Sequence, residues 1–377
     1  MDLIKSYFSV SFDLIIYDQE LPFDLYVNSS TLSKKQKFIR IFPEGEMFTK
    51  QDLEDFKKKY PQLYISEEHR KKYMRSLVQS EDTSDEKAAE FIKDSAIKYL
   101  HNVFDPKKEF STQVLEETIE GCKDAVENMI DLLDDYSIDG LRGLIGNLSG
   151  HDFYTYDHSI NVSMYSITIL RVIKPNATRL ELTHAGLGGL LHDLGKIKIP
   201  TEIINKPANL TDEEYTVIKT HPDIGIKLLL ESEGLGVESI DLGTIARVVH
   251  EHHENWGGGG YPSGIQGTDI HILARICAIA DFFDAITTKR SYAEVVTISQ
   301  ALNIMEKTAG KKIDPKIFQA FKSHISQSNI IDVKELTIAD NFDPCMPHET
   351  LPLIEEEIVP KRKGPKKVNM FDHKKKG

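Results

Sequence analysis

The chain is poor in cysteine: its 377 residues carry three, Cys122, Cys277 and Cys345. That is too few, and too irregularly spaced, for a disulfide framework or a thiolate metal site, so the expected compartment is a reducing one, the cytoplasm. Long apolar runs are missing too. No segment approaches the roughly 20 residues that a membrane-spanning helix needs, and Met1-Asp2-Leu3-Ile4-Lys5 does not open like a secretory leader. Positive charge is in deficit, with 46 Lys and Arg against 59 Asp and Glu and a formal net charge of −13 at pH 7. This excludes ready binding to a nucleic-acid polymer, which draws on many cationic phosphate contacts. A small anionic ligand stays admissible, because bound metal ions and a few cations set the field of a site locally. No internal repeat is evident. The apolar share of 40% is ordinary for a chain that buries a core, and the length favours more than one domain.

What the chain does have is histidine in a telling order. Gly189-Leu190-Leu191-His192-Asp193-Leu194-Gly195-Lys196 is preceded by His158 and followed by His221, His252, His253 and Asp281. Imidazoles and carboxylates set singly at the ends of separated apolar segments converge only in the fold. A shared carboxylate such as Asp193 can then bridge two metal ions, which is how a hydrolytic two-metal site is built. Lys196 follows Asp193 by three and His192 by four, which places it on their helical face. From Ile270 to Tyr292 the pattern predicts one helix, with Asp281, Asp284 and Thr288 on an acidic face and small residues (Ala274, Cys277, Ala278, Ala285) suited to close packing. A carboxylate inside Ile276-Cys277-Ala278-Ile279-Ala280-Asp281-Phe282-Phe283 is costly to bury unless paired or bound to a metal, so Asp281 is read as a ligand. A lone histidine serves a function in roughly one case in five and is otherwise a satisfied core or surface group. His151, His184, His271 and His324 take that plainer reading, and His250 and Glu254 a solvent-facing or supporting place.

The ordered set Leu191-His192-Asp193-Leu194-Gly195-Lys196, Lys206-Pro207, His221-Pro222-Asp223-Ile224-Gly225, His252-His253-Glu254, Gly260-Tyr261-Pro262, Ala280-Asp281-Phe282-Phe283-Asp284-Ala285, Arg290-Ser291-Tyr292 and Ile313-Asp314-Pro315 resembles the HD-GYP family over about Asp152 to His324. The resemblance implies an all-helical, metal-dependent phosphohydrolase that opens cyclic di-GMP to linear pGpG and, in some members, onward to GMP. It implies one metal at His158, His192, Asp193 and Asp281, and a second at Asp193, His221, His252 and His253. Nitrogen and oxygen ligation without thiolate suits iron or manganese. Lys196 would neutralise the phosphate or protonate the leaving oxygen, although it could be an ordinary ion-pair former. Arg290 would hold a phosphate or a guanine edge through its planar fork. Tyr261 and Asp284 are substrate-side candidates, Tyr261 having the alternative of capping a glycine-rich loop.

Three positions depart from the family pattern. Tyr154 stands where members with a third metal carry Glu, so two metals are expected. Ala293 replaces a usual Lys or Arg. Gly257 replaces a carboxylate in the loop Gly257-Gly258-Gly259-Gly260, which is expected to be more mobile for it and puts loop-mediated partner binding in question.

The expected fold is mainly α, a helical HD-type catalytic domain (137–335) preceded by a small α/β accessory domain (1–77). β-prone runs fall at Ile4 to Ile16, Phe23 to Val27 and Phe38 to Phe42, followed by a helix from Thr49 to Tyr60 capped by Thr49. No phosphate-binding loop occurs in it, and it is short for a phospho-receiver domain. The linker, 78–136, reads as helical, with Ala88, Phe91, Ile92, Ala96 and Leu100 and then Val114, Ile119, Val126, Met129 and Ile130 at helical steps. Such stripes form core or the seam of a homodimer. The tail, 336–377, is charged, and its composition favours disorder. Three functional readings follow: a cyclic di-GMP phosphodiesterase, a non-catalytic cyclic-dinucleotide receptor acting on a protein partner through the loop from Gly257 to Gly267, and a hydrolase of another nucleotide such as a mixed cyclic dinucleotide.

Overall fold

The computed structural model describes residues 6–29, 37–80, 83–104, 110–134, 154–204, 206, 210–230, 240–287, 296–325, 336–338, 343 and 353–355. The N-terminal part is a four-stranded antiparallel sheet in the order β1-β6-β3-β4, made of β1 (Tyr7–Val10), β3 (Leu25–Asn28), β4 (Phe38–Phe42) and β6 (Leu63–Ser66). A short pair, β2 (Gln19–Glu20) and β5 (Met47–Phe48), closes its end. Leu21, Phe23, Leu25, Phe48, Leu63 and Ile65 supply its fully buried side. α1 (Lys50–Lys59) starts where expected: Thr49 accepts from the Asp52 N–H while the Asp52 carboxylate accepts from the Thr49 N–H, a reciprocal cap that satisfies two orphan donors.

α2 (Arg70–Val78), α3 (Asp85–Phe104) and α4 (Thr112–Leu132) follow. Arg70, 5% exposed, stitches this layer to the sheet. Its guanidinium lies 3.9 Å from the Phe8 ring centroid and 5.5 Å from that of Phe91, and it bonds to Glu67 and to Ser95 Oγ. A planar cation stacked on aromatic faces keeps its donors free for both partners. The stripe of Ala88, Ile92, Ala96 and Leu100 meets that of Ile119, Val126, Met129 and Ile130 in one buried cluster. These apolar faces are thus covered within the chain, and the expectation of a homodimer seam gains nothing from them.

The helical part comprises α5 (Tyr154–Ile173), α6 (Arg179–Leu191), α7 (Thr201–Ile204), α8 (Asp212–Ile218), α9 (His221–Leu230), α10 (Leu242–Glu251), α11 (Ile272–Thr287), α12 (Ile298–Thr308) and α13 (Pro315–His324). α5, α6 and α11 pack on one another, and α4 lies against α6, so the N-terminal layer and the helical bundle share one core running from Val10 to Ile325. Lys93 on α3 crosses to α5, its Nζ 2.9 Å from Asp157 Oδ1, both residues being more than nine-tenths buried. Asp314 caps α13 and also accepts from Arg275, 2.8 Å away, which explains the Ile313-Asp314-Pro315 signature as a helix start.

Two described runs of the tail depart from the expected disorder. β7 (Leu336–Ile338) and β8 (Leu353–Glu355) pair antiparallel, and β7 lies against α12. Two short β-prone runs were masked there by the charge of the whole segment. Among the described residues no helix is long and apolar enough to cross a membrane. Cys122 and Cys277 are buried free thiols.

Candidate metal centre

Three of the five histidines are presented in the same way. His192 follows the last residue of α6, His252 follows the last residue of α10, and His221 lies just past α8. Each ring donates its Nδ1–H to the carbonyl three residues back: Gly189 O at 2.7 Å, Val249 O at 2.8 Å and Ile218 O at 2.8 Å. Helix C-termini leave such carbonyls without intrahelical partners. Satisfying them fixes the tautomer, so that Nε2 faces inward as a lone-pair donor. His158 is held differently. Its Nδ1 lies 2.7 Å from Asp284 Oδ2, while Asn161, one turn on, donates to Asp284 Oδ1 at 2.9 Å.

Two donor sets result: His158, His192 and Asp281, and Asp193, His221, His252 and His253, the atoms of each lying within 4.8 Å of one another. Asp193, of the second set, also reaches a member of the first. Its Oδ2 is 3.3 Å from His192 Nε2, and its Oδ1 is 3.4 Å from His221 Nε2 and 4.0 Å from His252 Nε2. Within the first set His158 Nε2 and Asp281 Oδ1 are 3.1 Å apart, and in the second His221 Nε2 and His252 Nε2 are 3.3 Å apart. Ligand atoms about 2.1 Å from one ion, at angles of roughly 90–110°, stand about 3.0–3.4 Å from each other. His192 Nε2 and Asp281 Oδ1 are buried without a hydrogen bond. These atoms approach their neighbours without aligning on them, as donors converging on a common centre do. The residues therefore fit two cations, and the donors are imidazole and carboxylate only.

The electrostatics of the second set agree. Burial pushes His221 down to about 4, against the pull of Asp193. Burial also pushes His252 and His253 well below the usual imidazole range, with the neighbouring rings adding to it. Unprotonated imidazoles need lose no proton to bind a cation. Burial alone would raise Asp193, but His192 and Lys196 hold it well below the usual carboxylate range. Burial would likewise lower His158, yet Asp281 and Asp284 carry it well above its ordinary value.

The other sequence-predicted residues fall out unevenly. Lys196 is not on a continuous helix with His192: α6 ends at Leu191, and Leu194–Lys198 is a tighter turn whose Lys196 N–H reaches Asp193 O. Its ammonium still lies beside the centre, 2.6 Å from Asp193 Oδ2. Gly195 is required there, since a Cβ would stand 1.9 Å from His221 O. Tyr261 reaches the site, its ring stacked on His253 at 4.7 Å. Asp284, expected on the substrate side, is fully buried and sits behind His158 with its two oxygens toward His158 and Asn161. Helical spacing put it on the face of Asp281, but α5 covers that turn. Arg290, Ala293 and Thr288 lie outside the described residues, as do His151 and Cys345. Tyr154 begins α5.

The glycine loop is better anchored than its composition implies. Trp256 N–H and Gly257 N–H donate to Lys312 O and Lys311 O, and a Cβ on Gly257 would meet Gly310 O at 3.0 Å. Glu254, 3% exposed, organises the far side by accepting from the Ser263 and Gly264 N–H groups at 2.6 and 2.9 Å. Burial raises its pKa despite these donors. His250 pairs with Asp223, and His184 accepts from the Asp241 N–H, both outside the centre.

A cavity of about 240 Å³ opens over the donors and is lined among others by His252, His253, Tyr261 and Asp281. Tyr215, Lys312 and Asp343 line it as well and were not singled out from the sequence. Asp343 carries no motif and lies far along the chain. Asn161 could have been found, being three residues after His158.

Residues 156–317 match the family model described as HD domain. A cyclic di-GMP phosphodiesterase of Pseudomonas aeruginosa is 37% identical over 197 residues, covering 51% of this chain and 45% of that protein. A cyclic di-GMP phosphodiesterase of Thermotoga maritima is 34% identical, covering 45% of this chain and 44% of the relative. A 3'3'-cGAMP-specific phosphodiesterase of Vibrio cholerae is 34% identical, covering 46% and 36%. The chain thus spans less than half the length of these curated relatives. Among solved structures, Bd1817, an HDG"Y"P protein from Bdellovibrio bacteriovorus, superposes with a TM-score of 0.53 at 20% identity, covering 84% of this chain and 99% of that one, a likeness of fold.

Proposed function

We propose that this chain, whose residues 156–317 match the HD domain family, is a metal-dependent phosphodiester hydrolase acting in the cytoplasm on cyclic di-GMP, with linear pGpG as the first product and GMP after a second cut. The observation that carries this reading is the pair of donor sets joined through Asp193 at the wall of a cavity. His158, His192, Asp193 and Asp281 would hold one divalent ion and Asp193, His221, His252 and His253 the other, the thiolate-free donors favouring iron or manganese. When bound, two such ions supply Lewis acidity toward the phosphodiester and lower the pKa of an attacking water. Lys196, 2.6 Å from Asp193 Oδ2, places a positive charge where negative charge develops and a proton where a sugar oxygen departs. Tyr261 contacts the substrate from the loop side, Arg290 binds a phosphate or guanine edge, and Asp284 orients His158. The loop around Gly257 to Gly267, with several exposed residues, is the surface for a protein partner.

The cGAMP-specific relative favours a second reading in which the substrate is a mixed cyclic dinucleotide. The deciding experiment loads the purified chain with Fe(II) or Mn(II), counts ions by elemental analysis and follows cyclic di-GMP and 3'3'-cGAMP by chromatography. About two ions per chain and turnover of cyclic di-GMP are expected. Preference for cGAMP moves the reading to the mixed dinucleotide, and binding without turnover makes the chain a receptor. Three ions would mean that a residue outside the seven supplies another site.

A further inference from the structure

The cavity beside the metal centre holds a carboxylate that neither the family match nor the ordered motifs account for. Asp343 lies 26 residues beyond the end of the match at residue 317, yet it is only 7% exposed. Tyr215 and Tyr261 both donate their hydroxyls to its Oδ2, at 2.7 and 2.8 Å. Its Oδ1 is 3.7 Å from His253 Nδ1, too far for a hydrogen bond but close enough to set the carboxylate over the second donor set. Lys312 lines the same cavity. Two phenol donors converging on one anionic, acceptor-only oxygen form a site whose chemistry a phosphoryl oxygen matches as well as a carboxylate does.

The free volume points the same way. A cavity of about 240 Å³ is below the roughly 300–1,000 Å³ usual for ligand sites, and Asp343 is part of its wall.

We infer that the Tyr215 and Tyr261 hydroxyls form an anion subsite for a substrate phosphate next to the metal centre, and that Asp343 occupies this subsite as an internal competitor. This deepens the reading of the chain as a hydrolase of cyclic dinucleotides and rests on it for the identity of the phosphate. Tyr261 falls within the motif set, whereas Tyr215 and Asp343 lie outside it. An intramolecular competitor lowers apparent affinity by the fraction of molecules in which the subsite is open. Any partner or condition that draws residue 343 away would therefore raise activity at low substrate without altering the metal ligands.

The test is a cycle of Asp343→Ala and Tyr215→Phe, singly and together, in the metal-loaded full chain. Two readouts are taken: KM and kcat for cyclic di-GMP, and the dissociation constant of inorganic phosphate by calorimetry. Asp343→Ala should lower KM and tighten phosphate about tenfold, with kcat changed less than twofold. Tyr215→Phe should weaken phosphate several-fold in the Asp343→Ala background and much less in the parent, because there it also loosens the competitor. Loss of bound metal in Asp343→Ala would make Asp343 a metal ligand and overturn the inference, as would unchanged KM and phosphate affinity. Should Asp343→Ala fail to fold, Asp343→Asn serves, with a smaller shift in the same direction required. If no variant hydrolyses a cyclic dinucleotide while phosphate tightens as stated, the subsite stands and the assigned activity falls.

Discussion

Replacing Asp284 by Asn tests how the first donor set is built. Asp284 is fully buried, with Oδ2 2.7 Å from His158 Nδ1 and Oδ1 receiving the Asn161 amide at 2.9 Å. A carboxylate accepts from both neighbours at once. An amide of the same shape offers one oxygen and one NH2, so one neighbour must meet a donor where it had an acceptor. If the NH2 faces His158, the ring must move its proton to Nε2, where it blocks the cation. If it faces Asn161, that amide must turn over to accept with its Oδ1, which leaves its own NH2 without the acceptor it had. Leaving a buried donor unsatisfied costs about 1–3 kcal/mol, and loss of a residue that orients a ligand typically weakens metal binding 10- to 100-fold. The assay is metal titration with circular dichroism as the control on folding. The expected outcome is a helical protein that holds the ion of the second set and binds that of the first at least tenfold more weakly. Unchanged metal affinity together with a raised KM would refute the argument and restore Asp284 to the substrate side.

Asp193→Ala should remove both ions and all hydrolysis while leaving the helical signal largely intact, and near-normal metal content by elemental analysis would sink the bridging role. Lys196→Ala should lower kcat by roughly a hundredfold with little change in KM, as expected for a charge that matters most in the transition state; a change confined to KM would make it a binding residue. Gly195→Ala forces a methyl to within 1.9 Å of His221 O, so it should displace His221, cut occupancy of the second ion and lower the melting temperature by several degrees. A variant with unaltered Tm and metal content would mean that the turn relaxes freely.

The residues of the two donor clusters were legible because each histidine or aspartate closes an apolar segment and the segments carry ordered motifs. Their mode of presentation was not. That His192, His221 and His252 each spend Nδ1 on a helix-end carbonyl depends on where those helices stop, which spacing alone leaves uncertain by a turn. The resemblance implied a substrate-side place for Asp284, and spacing put it on the face of Asp281, but periodicity reports a shared face and not what crosses it. The bonds that place Asp343 span 128 and 82 residues of chain, a separation at which local pattern carries no information. Thr49 announced its helix start directly, whereas the strand order β1-β6-β3-β4 arises from long-range pairing of runs that look alike in isolation.

The core shared by the sheet, α2 to α4 and the helical bundle bears on how such a chain can be inherited and cut. A regulatory unit joined by a pliant tether can be exchanged between proteins with little penalty, because few of its side chains know their neighbour. Here Arg70 is clasped between Phe8 and Phe91, and Lys93 reaches Asp157 on the helix that carries His158. Calorimetry should accordingly register one unfolding event for the whole molecule, and a recombinant piece beginning at α5 should precipitate. The N-terminal part is a keystone set into the arch, not a cartridge plugged onto it, and a lineage that traded it for another sensor would have to redraw α2, α3 and α4 in the same stroke.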